Sequence, residues 1–411
     1  MNTTAPVIII GAGQAGGRLA LSLQEEGFEG TITLIGEENH LPYERPPLSK
    51  QVLLGESTPE ATGFVTAELL DQQRITLRPA CKVSAIHPER QQITLATGEQ
   101  MSYQALVLAT GGSPRPLTLP GSEATTIYYL RTQDDALRLK DCLQPDKRVG
   151  IIGGGFIGLE IASSAKQLGC TVTVLESAPR LAGRVLPGIL SDRLLALHER
   201  NGVDVRLGVS IECLVPDAER TRIQLTSGET LDCDVIIVGI GIAPNQQLAA
   251  EAGLTVANGI CVDEYPQTSA QHVYAIGDVA EFPANGKRQR IETWRNAEHQ
   301  ARYLAKQLTG THDPFSDCLW FWSDQFDEGL QVIGQTGDSL IRVIRQADDD
   351  ATFVCYLDAE HRLCGAAGMA KDGIIAKDIK LAERLIDMGK VLSPDVLEDA
   401  TISLKSLLKG N

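Results

Sequence analysis

Short runs of aliphatic and β-branched residues, each closed by glycine, recur along the chain. Val7–Ile10 is the first, and it runs into Gly11-Ala12-Gly13-Gln14-Ala15-Gly16. Four apolar residues in a row, without alternation, predict a strand covered on both faces. Ala20, Leu21 and Leu23 then fall on a helical pattern, and Thr31–Ile35 predicts a second strand that ends in Glu37 and Glu38. The same order returns at Val149–Ile152, followed by Gly153-Gly154-Gly155-Phe156-Ile157-Gly158. Leu159, Ile161, Ala162, Ala165 and Leu168 predict the next helix, and Thr171–Leu175 the next strand, which ends in Glu176.

Other apolar runs fit around these two units. Ala105–Ala109 leads into Thr110-Gly111-Gly112, Val235–Val238 into Gly239-Ile240-Gly241, and Val273–Ile276 into Gly277-Asp278. Pro114–Pro120 is proline-rich and reads as a crossover. The last ninety or so residues change character. Leu330–Ile333, Ser339–Arg345, Thr352–Leu357 and Arg362–Ala366 predict short antiparallel strands, and Lys371–Met388 an amphipathic helix.

Strand, glycine turn, helix, strand and acid together make the βαβ dinucleotide fingerprint. The first glycine makes the tight turn, the second lets backbone approach a pyrophosphate, and the third lets helix pack on strand. The helix N-terminus then offers free N–H groups and a partial positive charge to the phosphates. Glu37 lies 21 residues after Gly16 and Glu176 lies 18 after Gly158, both suited to a strand-end carboxylate on ribose hydroxyls. One glycine loop alone is weak evidence. Two complete copies point to two nucleotides that meet, and a nicotinamide with a flavin is the natural pair.

Composition narrows the partners. A formal net charge of −16 argues against nucleic acid and against an anionic membrane surface. The nine cysteines (Cys81, Cys142, Cys170, Cys213, Cys233, Cys261, Cys318, Cys355 and Cys364) are scattered, without a metal or iron–sulfur spacing. Free thiols in a reducing compartment are expected. Val7–Ile10 is too short for a signal segment and no apolar stretch approaches a membrane span, so a cytoplasmic location is expected.

Particular runs carry a resemblance. They are Tyr43-Glu44-Arg45-Pro46-Pro47-Leu48-Ser49-Lys50, Ala109-Thr110-Gly111-Gly112, Tyr129-Leu130-Arg131, Gly153–Glu160, Gly239-Ile240-Gly241, Ala275-Ile276-Gly277-Asp278, Glu292-Thr293-Trp294 and Trp320-Phe321-Trp322-Ser323-Asp324-Gln325. With the two glycine loops, they make the whole chain resemble the FAD-dependent NADH:ferredoxin reductases of multicomponent oxygenases. These serve aromatic-ring dioxygenases and putidaredoxin reductase-like cytochrome P450 systems.

The resemblance implies an α/β, glutathione-reductase-like architecture. Its parts are a discontinuous FAD domain (1–112 and 245–321), an NAD domain (113–244) and a C-terminal α+β domain (322–411). It places FAD on Gly11, Gly13, Ala15, Gly16, Glu37, Arg45, Lys50, Val83, Ala109, Thr110, Gly111, Arg131, Gly277, Asp278 and Trp294. It places NADH on Gly153, Gly155, Phe156, Ile157, Gly158, Glu160, Glu176, Gly239 and Gly241, with Lys50 and Glu160 as the catalytic residues. Lys50 is implied beside the flavin N5, Glu160 at the nicotinamide carboxamide, and Glu176 as the carboxylate that disfavours a 2′-phosphate. Arg180 and Arg184, close by, weaken that preference.

A disulfide reductase of this architecture needs a cysteine pair beside the flavin. None occurs before Cys81, so electrons are expected to leave for an external acceptor. The implied acceptor is a [2Fe–2S] ferredoxin, of Rieske type when the partner oxygenase is an aromatic-ring dioxygenase. Trp320 and Trp322 read either as partner contacts or as core aromatics. Lys287, Arg288 and Arg290 read either as a docking cluster or as a solvated loop. The histidines show no metal spacing and receive no role. A P450-type ferredoxin, an NADH oxidase and a redox-switched binding protein remain competing readings, and the protein is expected as a monomer or homodimer.

Overall fold

The expected strands do form, and burial on both faces explains their composition. The computed structural model describes residues 6–217, 220–284, 286–311, 313–348, 350–371 and 373–409. The chain divides into two compact units. The first comprises Met1–Pro46, Thr58–Ser113 and Ile242–Asp317; the second comprises Pro47–Ser57, Pro114–Gly241 and Cys318–Asn411.

In the first unit, five parallel strands lie in the order Val273–Ala275, Ala105–Leu108, Val7–Ile10, Ile32–Ile35 and Ile75–Arg78. Val7, Ile9, Ala105 and Val107 face the helices Gln14–Glu25 and Trp294–Thr309, packing with Leu19, Leu23, Ala301 and Leu304. Ile8, Ile10, Leu106 and Leu108 point the other way, against a three-stranded meander of Val83–His87, Gln92–Leu95 and Gln100–Ser102. A strand covered on both faces has no polar positions to spare, which is why these runs do not alternate.

The second unit repeats the plan. Its parallel sheet runs Asp204–Leu207, Thr171–Glu176, Arg148–Ile152, Val235–Val238 and Ile127–Tyr128. The helices Phe156–Gln167 and Gly188–Arg200 share a core with Val149, Ile151, Val172 and Val174. A second meander, Ile211–Pro216, Thr221–Leu225 and Thr230–Cys233, belongs with Ile152, Ile236 and Val238 on the other side.

The rest of this unit is a five-stranded antiparallel sheet. Its order is Trp320–Gln325, Glu328–Gly334, Leu363–Lys371, Ala351–Leu357 and Ile341–Ala347. One face carries Phe353, Cys355 and Ala366 against the helix Ile375–Asp387. The other contributes Leu330, Val332, Val354 and Met369 to the core that holds Val149 and Ile151. The helix begins four residues later than Lys371 because Gly373, at φ +69°, does not continue a right-handed helix. Trp320–Gln325 is a strand that the aromatic run concealed. Among the described residues, no helix is long and apolar enough to cross a membrane.

Candidate active site

Close backbone approach requires the glycines of the first loop. Gly11 sits at φ +113°, and a Cβ there would lie 2.1 Å from the Ala109 carbonyl oxygen. A Cβ on Gly16 would lie 1.8 Å from the Gly11 carbonyl oxygen. Gly13 differs: the nearest atom to its missing Cβ is an Arg45 guanidinium nitrogen at 3.7 Å. Gly13 N-caps the helix Gln14–Glu25 with no side-chain hydrogen bond, so no cap side chain occupies the first N–H groups. Gln14 Oε1 is buried there without a hydrogen-bond partner. An open cradle, an uncapped helix start and a nearby guanidinium fit a dinucleotide pyrophosphate.

The other expected FAD residues of this unit surround that loop. Arg45 is held by Glu38 at 2.7 Å and lies over the Tyr43 ring. Gly277 packs on Ala15, and its N–H donates to Gln300 Oε1 at 2.6 Å, which sets Asp278 beside the same helix. Glu37 lies two residues past the strand Ile32–Ile35 with an exposed carboxylate, 4.0 Å from Lys82, and Val83 is buried. Ala109 is buried, whereas Thr110 and Gly111 are stitched to Asn245. Asn245 had no motif to mark it. Trp294 opens its helix after the Thr293 cap. Glu44 has its carboxyl pushed up chiefly by burial and then by Glu298, with Arg18 and Trp294 acting the other way.

The second loop repeats the geometry. A Cβ on Gly153 would lie 2.5 Å from the Gly239 carbonyl oxygen, and one on Gly158 would lie 2.3 Å from the Gly153 carbonyl oxygen. Gly155 caps the helix Phe156–Gln167 without a side-chain bond. Glu176 accepts from the Gly154 N–H and the Ala178 N–H, both at 2.7 Å, so its carboxylate is fixed at the loop. Ile157 is 47% exposed on the first helical turn, and Ile240 stands exposed beside Gly239 and Gly241. An uncapped helix start with two apolar side chains in the open fits a nucleotide here as well. Phe156 instead packs on Phe321, with ring centroids 5.2 Å apart. Arg131 directly precedes Thr132, the cap of the helix Gln133–Cys142, and its N–H donates to Asp135.

Lys50 and Glu160 meet within the second unit. Lys50 Nζ lies 3.1 Å from Glu160 Oε1, with side chains 12% and 4% exposed. A buried charge pair persists only when its remaining valences are filled. Here Ser49 Oγ donates to Glu160 Oε2 at 2.5 Å, and Ser323 Oγ donates to Glu160 Oε1 at 2.6 Å. The ammonium also stands 5.8 Å from the centroid of the Trp322 ring, and Trp322 stacks on Trp320. Sequence reasoning found Lys50 and Glu160 but not the two serines, although both lie inside the motif runs.

Two expectations change. Arg288 bonds the Val262 carbonyl, and Arg290 is 7% exposed, bonded to the Asn258 carbonyl and paired with Glu292. Of that basic cluster, two members serve the fold, because loop carbonyls attract the guanidinium groups. His198, given no role in the sequence reading, is fully buried and hydrogen-bonded to Gln325 at 2.7 Å.

The thiols take no part in this geometry. None of the nine is in a disulfide, and burial pushes Cys233 to about 11 and Cys355 to about 12. Reactive thiols need the opposite shift.

Comparison with known proteins agrees with this arrangement. Residues 5–301 match the family model of pyridine nucleotide-disulphide oxidoreductases, and residues 320–408 match a reductase C-terminal module. The ferredoxin--NAD(+) reductase component of the p-cumate 2,3-dioxygenase system of Pseudomonas putida is 40% identical, over 97% of each chain. Rhodocoxin reductase of Rhodococcus erythropolis is 37% identical, over 97% of this chain and 93% of that one. The covalent putidaredoxin reductase–putidaredoxin complex superposes with a TM-score of 0.94 at 34% identity, covering 99% of both chains. Two glycine loops, each with its helix start and acid, thus belong to a known lineage. The chain is an FAD- and NAD(H)-dependent member of the pyridine nucleotide-disulphide oxidoreductase family.

Proposed function

We propose that this protein passes electrons from NADH, by way of FAD, to a [2Fe–2S] ferredoxin of Rieske type that feeds an aromatic-ring dioxygenase. One observation carries the reading: the similarity to a dioxygenase-system reductase component runs the full length of the chain, at 40% identity. Bound FAD supplies the conversion of a two-electron donor into single electrons. The first glycine loop, with Arg45 and Glu37, holds that cofactor, and Lys50, Arg131, Asp278 and Trp294 complete its contacts. The second loop holds NADH through its helix start, with Phe156 and Ile157 on the first turn. The fixed Glu176 carboxylate takes the ribose hydroxyls and repels a 2′-phosphate.

Lys50 supplies a positive charge from a water-poor setting, where its effect on a developing negative charge is strong. Glu160 keeps that ammonium in place. No cysteine lies in the segment 47–57, so the electrons go to a separate protein and not to a thiol of this chain. Its proposed state is a monomer or a homodimer.

A second reading replaces the Rieske-type ferredoxin with one from a cytochrome P450 system. The TM-score of 0.94 to putidaredoxin reductase favours it. Reduction of the two ferredoxin kinds by the purified holoenzyme, followed by their visible spectra under nitrogen, separates them. A kcat/KM at least tenfold higher for the Rieske-type protein supports the first reading, and the reverse order supports the second.

A further inference from the structure

The Glu160 carboxylate lies at the end of a single file of buried side chains. Ser49 Oγ holds Oε2, while Lys50 Nζ and Ser323 Oγ hold Oε1. Behind Ser323, Gln325 Nε2 donates to Ser323 Oγ at 2.9 Å, and Gln325 Oε1 lies 2.7 Å from His198 Nε2. Ser49, Glu160, Ser323, Gln325 and His198 are each no more than 4% exposed.

The direction of the file follows from what each group can do. A carboxylate only accepts, so Ser323 spends its hydrogen on Glu160 and takes the Gln325 amide on its oxygen. The Gln325 carbonyl then faces the imidazole, whose proton must sit on Nε2. His198 Nδ1 is left as a bare lone pair, consistent with its lack of a partner. Burial pushes the His198 pKa down, which keeps the ring neutral and its Nε2–H a fixed donor. Every donor in the file therefore points toward Glu160.

The far end is anchored on two helices. Arg193 and Arg200, on the same helix as His198, grip Glu328 at 2.7 and 2.5 Å. The Phe326 N–H donates to Ser163 Oγ at 2.8 Å. Phe326 sits at φ +52°, and its ring meets the His198 ring edge-on at 5.3 Å. A bulky residue in the left-handed region is held there by its surroundings, and such strain concentrates at functional sites. The hairpin that joins Trp320–Gln325 to Glu328–Gly334 is thus locked where Ser323 reaches Glu160.

We propose that Ser323, together with Ser49, is a positioning residue for the reaction. The two hydroxyls hold the Glu160 carboxylate in the orientation that pairs with Lys50, and Gln325 and His198 aim the Ser323 hydroxyl. This rests on the reading of Lys50 and Glu160 as the reacting pair. A merely structural hydrogen bond would show itself in folding; a positioning one acts through Glu160.

The test is Ser323→Ala in the FAD-loaded protein, with flavin reduction by NADH followed in a stopped-flow instrument. The limiting rate is expected to fall about tenfold, the scale of one hydrogen bond to a charged group. FAD content and the NADH dissociation constant stay the same, and Ser323→Thr restores the rate. In a Glu160→Gln background, Ser323→Ala should add nothing further. A crystal structure of Ser323→Ala should show Lys50 and Glu160 out of ion-pair reach.

A wild-type rate for Ser323→Ala beside a slow Glu160→Gln overturns the positioning role and leaves the pair intact. Wild-type rates for both overturn the pair and the inference with it. Equal losses in both backgrounds make Ser323 structural. Should Ser323→Ala lose FAD, Ser49→Ala decides by the same criteria, because Ser164 Oγ holds the Ser49 carbonyl independently at 2.7 Å.

Discussion

Lys50 and Glu160 lie 110 positions apart and yet share one buried ion pair. Removing one partner leaves the other charge buried, which typically costs about 3–5 kcal/mol of stability. Lys50→Ala should therefore lower the unfolding temperature and slow reduction of the flavin by NADH, while FAD stays bound through the first loop. Stopped-flow absorbance at the flavin band measures it, and an unaltered rate would make Lys50 a structural lysine. Glu176→Ala should narrow the preference for NADH, because the carboxylate fixed by Gly154 and Ala178 would no longer repel a 2′-phosphate. An unchanged NADH/NADPH ratio of kcat/KM removes that role. Residue roles were readable where a motif carried them. His198 and Asn245 belong to no motif and act through neighbours distant in sequence, so the chain gave no local sign of them; Gln325 lies inside a motif run, but its bond to His198 crosses 127 positions.

Strands and glycine loops were readable for a different reason: both faces of each central strand are covered, and burial leaves an uninterrupted apolar run. Gly158→Ala would place a Cβ 2.3 Å from the Gly153 carbonyl oxygen, a contact that only backbone movement relieves. Far lower yield of folded, NADH-reducible protein is expected, and a normal yield with normal kinetics would contradict the packing described. The edge meanders, with shorter and mixed runs, left no comparable signature.

The Arg148–Asp234 pair pins the starts of two adjacent strands, with Arg148 N–H, Nε and Nη2 all donating to Asp234. Those hydrogen bonds hold the Asp234 carboxyl down at about 2, against the effect of burial. Its folded pKa lies below the unfolded value of 3.8, so the stabilisation is complete above that value and is lost as pH falls toward 2. Asp234→Asn should cost about 1–2 kcal/mol at neutral pH. The difference from wild type in urea melts should shrink steadily below pH 4. A gap that persists unchanged at pH 2 would mean that the carboxylate is not its source.

At the scale of the whole molecule, two nucleotide-binding folds fit an FAD- and NAD(H)-dependent member of its family. The C-terminal sheet was expected as part of an α+β cap. Its face of Leu330, Val332, Val354 and Met369 shares one core with the second parallel sheet. That sharing was hidden because strand patterns report that a face is buried, not what buries it. It also lets the cap's first strand bring Ser323 to Glu160. The most direct measurement of the central claim is NADH consumption by the FAD-loaded protein, with and without a [2Fe–2S] ferredoxin from a Rieske oxygenase system. Strong ferredoxin-dependent turnover over a small oxygen-only rate is the predicted result; fast oxygen-only turnover that ferredoxin does not stimulate would contradict it.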